Sequence, residues 1–177
     1  MTFGDLETFA IECELDPESG KYNDGAMRFH INGNELGDWD QSSIIDFVAY
    51  RLEDLCRDAG MYENAELMAL NGADVIHETH CVIYGGPDCS GRDEAHDAAL
   101  YSSYYRLRIF PDSGDGFDHT FTILLKSGDD ARWVWRDNRT GTITDTTVPW
   151  SSMTEVLNAF LNWFAANRIS TWPSASR

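Results

Sequence analysis

Polar and apolar residues alternate through residues 8–15, TFAIECEL, with Phe9, Ile11, Cys13 and Leu15 on one side and Thr8, Ala10, Glu12 and Glu14 on the other. A period of two is the mark of a half-buried strand. The next ten residues, DPESGKYNDG, carry turn-forming chemistry, and MRFHI then alternates again with Met27, Phe29 and Ile31 inward. Asn32-Gly33 supplies the two positive-φ positions of a type I′ turn, so NEL is expected as the short return strand of a hairpin.

From Ser42 the period changes. Ile44, Val48, Leu52, Leu55 and Ala59 recur at intervals of three and four, which is one stripe of an amphipathic helix near 43–59. Ser43, with Asp46 three residues later, is expected as its N-cap. YENAELMAL reads as a short helix stopped by Asn71-Gly72, DVIHETHCVIY as a further helix, and DEAHDAALY as another short one. In the last third YYRLRIF, DHTFTILLK, ARWVWR and GTITDTTVP are separated by turn sequences, which predicts a four-stranded antiparallel meander. Ser152 and Glu155 have capping-box spacing ahead of a helix near 152–167 that carries Met153, Val156, Leu157, Phe160, Leu161 and Phe164. Together these elements predict a single α+β domain over residues 1–177, with 170–177 as a frayed tail.

Charge changes this picture most. Thirty acids against thirteen Lys and Arg leave a net charge of −17. Residues 1–100 hold 22 acids and 5 bases, whereas residues 101–177 hold 8 of each, so the whole excess sits in the first part of the chain. Such a field repels nucleic acid and anionic lipid and draws basic partners over roughly 8–10 Å. Solubility alone is the plainer explanation of the same charge. No stretch approaches the ~18 apolar residues of a membrane helix, and the N-terminus shows no basic leader, so a cytoplasmic protein is expected. Four cysteines are too sparse for a disulfide scaffold, and Cys13 and Cys56 fall on apolar faces.

Candidate chemistry is thin. His77, His80, Cys81, Cys89 and His96 are metal-ligand residue types, and on a helix His77, His80, Cys81 and Tyr84 would share a face. Their spacing matches no established zinc pattern, and His-Glu-x-x-His is missing. A Cys–His nucleophile pair has no local mark of an activated thiol. Asp112, Asp115 and Asp118 imitate a calcium loop, but glycines occupy ligand positions and Ile123 stands where the bidentate glutamate belongs. No phosphate loop, dinucleotide fingerprint or nucleophile elbow occurs. No catalytic residue, cofactor or metal ligand is therefore assigned.

FAIECELD followed by MRFHINGNELGD resembles the N-terminal signature of immunity protein family 42, associated with bacterial polymorphic toxins. The Gly37-Asp38 pair after the hairpin and the Trp135-Arg136 strand of WVWR carry the likeness further. It is firmest over residues 3–58, reasonable over 104–165, and weak over 61–103. What the resemblance implies is an antidote, a non-enzymatic protein that binds and neutralises a cognate toxin. Gly37, Asp38 and Trp135 carry over in a structural role, with Gly37 letting the backbone leave the return strand and Asp38 accepting amides as the helix begins.

The residues themselves suggest a docking surface of Asp38, Trp39 and Asp40 with Glu53, Asp54 and Asp58 of the first helix, facing a basic toxin. The competing readings are a small metal-binding or metal-dependent enzyme around His77, His80 and Cys81, and a carboxylate mimic of nucleic acid.

Overall fold

The computed structural model describes residues 1–110 and 113–169; the expected tail and Asp112 lie outside them. Five strands form the first sheet, in the order β1 (Thr2–Asp5), β2 (Phe9–Leu15), β3 (Asp24–Ile31) and β4 (Asn34–Leu36), with β5 (Ser43–Ile44) paired to the start of β3. The alternation is realised as register. Phe9, Ile11 and Cys13 lie opposite Ile31, Phe29 and Met27, and all six are buried. On the other face Glu12 sits opposite Arg28 and accepts from Arg28 Nε at 2.6 Å, and its carboxylate lies 2.8 Å from His30 Nε2. Asn32 and Gly33 adopt φ of 50° and 76°, as a type I′ turn requires. The edge strand β1 has no alternating signal of its own and was not expected from the sequence.

Helix α1 (Ile45–Arg57) buries Ile45, Val48, Ala49, Leu52 and Leu55. Its expected N-cap is wrong. Ser43 is held in β5, so the residue before the helix belongs to a sheet ladder and is not free to cap. The helix start is closed instead by Ile45 N–H donating to the Asn23 carbonyl at 2.8 Å, while Asp46 turns inward to accept from the Asn23 amide at 2.7 Å. A 3-10 turn (Ala59–Tyr62), α2 (Ala65–Met68), α3 (Gly72–Tyr84) and α4 (Glu94–Leu107) follow. Asn71 is the N-cap of α3, accepting from Asp74 N–H at 3.0 Å, so Asn71-Gly72 opens a helix; it does not stop the one before, which ends at Met68 with Ala69 as its C-cap.

The four-stranded meander is also corrected. Residues 104–107 of YYRLRIF continue α4, because Leu100, Tyr104 and Leu107 are spaced four and three apart, the helical interval, and the last two are buried. Only a single bridge, Arg108 to Ile123, remains of the expected strand. The second sheet therefore has three strands among the described residues, β6 (Thr120–Ser127), β7 (Asp130–Asp137) and β8 (Ile143–Pro149). A one-turn helix α5 (Asp115–Asp118) precedes it and α6 (Trp150–Asn167) follows. The capping box at Ser152 and Glu155 is not formed, since the helix starts earlier. Asp129 holds that start by accepting from the Ser151 N–H at 2.9 Å and its hydroxyl at 3.0 Å. Met153, Leu157, Phe160 and Phe164 are its buried stripe.

Both faces of the second sheet are covered, which is why β6 is buried from Thr120 to Leu125 instead of alternating. Trp133 points toward the first sheet, with ring centroids 6.0 Å from Phe9 and 6.1 Å from Phe29. Val134 and Arg136, on the opposite face of β7, lie across from Ile123 and Phe121 and face α3.

Candidate partner-docking surface

Gly37 leaves β4 with φ of 108°, and a Cβ there would stand 2.9 Å from both the Met27 carbonyl oxygen and a Phe117 ring carbon. Only glycine passes this point without strain. Asp38 then ties three parts of the fold together. Its N–H donates to the Gly116 carbonyl at 2.8 Å, and its carboxylate accepts from Arg139 Nη1 at 2.9 Å and from Asp40 N–H at 3.2 Å. The Arg139 guanidinium holds this carboxyl below the ordinary aspartate range. The pair does not launch α1, which begins at Ile45. It fastens the N-terminal hairpin to α5 and to the β7–β8 turn.

Trp39 is half-buried, with the Arg28 guanidinium 5.4 Å from its ring centre. Arg28 is itself held by Glu12 and Glu35, so the indole covers an ion-pair cluster. Asp40 is exposed. The helical acids form a second group. Glu53 and Asp58 are exposed, and Asp54 pairs with Arg57 at 2.7 Å. Asp54 and Asp58 border an open groove of about 340 Å³ that also contains Arg51, Arg57, Met61 and Arg106. Asp38, Trp39 and Asp40 thus precede α1, whereas Glu53 and Asp54 lie in its second half and Asp58 is its C-cap.

The histidine–cysteine segment converges elsewhere. At the end of α3 the chain reverses through Gly85 and Gly86, with φ of 65° and 126°. This returns Cys89 to Cys81, and the two are joined by a disulfide whose Cα atoms are 5.5 Å apart. Sequence reasoning missed this bridge. The signal available was a cysteine at a helix end, a double glycine and a second cysteine a few residues on. Cys13 and Cys56 remain free, the former fully buried with its thiol pushed up to about 12.

The His77 ring nitrogens lie 3.8 and 3.9 Å from Cys81 Sγ. Among the described residues no group of three or more His, Cys, Asp or Glu is arranged to hold a metal ion. His77, His80, Cys89 and Arg136 instead line a cleft of about 280 Å³ between α3, the 85–89 loop and the edge of β7–β8. Burial, with Arg136 and His77 nearby, holds His80 below the usual histidine range, so its imidazole is neutral near pH 7. Behind the loop, Arg92 joins α3 to α4 by gripping Glu78 at 2.6 and 2.7 Å and Asp97 at 2.8 Å.

Comparison with known families supplies the deciding observation, since the profile of immunity protein 42 matches residues 1–163. The chain belongs to the immunity protein 42 family. The match spans the hairpin, the Gly37-Asp38 exit, the disulfide-bridged middle and nearly all of α6, so it includes the segment where the likeness had been weakest. The fold is similar to the crystal structure of CdiI from Burkholderia dolosa, with a TM-score of 0.65 and 14% identity over 92% of this chain and 99% of that one. At that identity the likeness concerns the fold alone. Comparison with curated proteins found no significant match. No helix among the described residues is long and apolar enough to cross a membrane.

Proposed function

We propose that this immunity protein 42 family member is a stoichiometric inhibitor that binds and neutralises a cognate toxin in the bacterial cytoplasm, without catalysis of its own. The observation that carries the reading is the family match over residues 1–163. The net charge of −17, all of it contributed by residues 1–100, favours a basic toxin. In this reading the long-range field raises the encounter rate, while close contacts of a few anchor residues set the lifetime of the complex. Asp40, Glu53 and Asp58 are exposed and contribute to that field; Asp38, Trp39 and Asp54 already have intramolecular partners and give less to it. An antidote of nanomolar affinity corresponds to ~−12 kcal/mol, within reach of a standard interface of ~1,600 Å².

The test is co-purification with the toxin encoded beside this gene, followed by association kinetics across a salt series. A complex whose association rate falls steeply from low to physiological salt supports the reading. No complex would remove the inhibitor reading, and a salt-independent rate would remove its electrostatic part.

A further inference from the structure

The cleft between α3 and the β7–β8 edge is an unusual spot in so acidic a chain. Arg136 projects from β7 beside Phe121, and among the described residues its one side-chain bond is to the neutral Asn138 Oδ1 at 2.9 Å. Among the described residues no carboxylate pairs with it, in contrast to Arg28, Arg57, Arg92, Arg132 and Arg139, which each grip at least one; Arg51, Arg106 and Arg108 also lack a carboxylate but are bonded to backbone carbonyls, the Met61 sulfur and the Tyr84 hydroxyl. His77 and His80 line the same cleft, and Asp88 is the one acid that does. Ile76, Pro87 and Ile143 make apolar walls, and the Cys81–Cys89 bridge fixes the rim. A guanidinium between apolar walls attracts an anion more strongly than one in open water, and its fork geometry matches a carboxylate.

We propose that this cleft receives an aspartate or glutamate side chain of the toxin, with Arg136 as its partner and the two histidines as flanking donors. The proposal rests on the inhibitor reading and adds the point of contact. The charge of the whole molecule favours a protein-borne acid over a free anion. A free carboxylate must approach against a net charge of −17, but an acid carried on a basic protein is brought in by the same field. The result is a division of labour: the acidic surface speeds approach, and one basic notch fixes the register.

The experiment measures the affinity of the neighbouring gene's toxin domain for the wild-type protein and for three variants. Arg136→Gln should weaken binding at least tenfold, and Arg136→Lys should recover part of the loss. Ala73→Glu, an exposed helical position on the cleft, places a competing carboxylate beside Arg136 without entering the core and should weaken binding similarly. Arg168→Gln removes the same charge at an exposed position that lines neither the cleft nor the groove beside Asp54 and Asp58; it is the control and should stay within twofold. If the wild type binds and both Arg136→Gln and Ala73→Glu stay within twofold, the cleft is not the contact. If the wild type does not bind at all, the inhibitor reading fails first. Sodium acetate alone should show no binding below millimolar concentration; saturation there would assign the cleft to a free carboxylate and overturn the proposal.

Discussion

Trp133 is fully buried where the two sheets meet, within 6.0 to 6.4 Å of the Phe9, Phe29 and Phe110 rings, and its indole N–H has no hydrogen-bond partner among the described residues. Two substitutions there separate packing from polarity. Truncation to alanine removes most of an aromatic side chain from a packed core and should cost ~3–5 kcal/mol. Replacement by phenylalanine keeps one ring. The lost ring is roughly 50 Å² of the ~150–250 Å² that an aromatic buries, worth ~1 kcal/mol before any cavity is counted. Against that, the variant no longer buries an unpaired donor, which costs ~1–3 kcal/mol in the native protein. Trp133→Phe is therefore expected within about 1 kcal/mol of wild type, and Trp133→Ala far below both. Urea unfolding followed by circular dichroism measures the two differences directly. A loss of 3 kcal/mol or more in the phenylalanine variant would mean that the N–H is bonded in solution and that the opposing terms are misassigned.

Further outcomes follow from the ion pairs, the bridge and the backbone. Arg92 holds the Glu78 and Asp97 carboxyls below their ordinary ranges, so the stability they contribute is present above their unfolded pKa values and lost as pH falls through the lowered ones. Arg92→Ala should accordingly be less stable than wild type at pH 7, and the difference should shrink as pH falls through the lowered carboxyl values; a difference that stays constant into acid would contradict the linkage. Opening the Cys81–Cys89 bridge, by a thiol reductant or as Cys89→Ser, frees an eight-residue separation and should lower stability by about 2.5 kcal/mol. Equal unfolding midpoints with and without reductant would show that the bridge contributes nothing. Gly37→Ala should cost ~1–3 kcal/mol in backbone strain, before the close approach to the Met27 carbonyl is counted. A Gly37→Ala protein as stable as wild type would mean that the chain leaves β4 differently.

Periodicity alone determined β2, β3 and the buried stripes of α1 and α6, because each has a face whose burial depends only on residue spacing, and the residue types Asn32-Gly33 determined the type I′ turn. Wherever two structures could use the same spacing, tertiary contacts chose. YYRLRIF alternates over a few residues, but Tyr104 and Leu107 bury better as the end of α4. Ser43 has N-cap chemistry, but β5 claims its backbone, and Ser152 is passed over because Asp129 starts α6 earlier. The docking candidates divide in the same way. Their charge was legible from composition, but whether a carboxylate is free depends on which arginine folds against it, as Arg139 does on Asp38 and Arg57 on Asp54. The cleft around Arg136 was not legible at all, since its walls come from residues 73–89 and 136–143, brought together only when α3 packs on the second sheet.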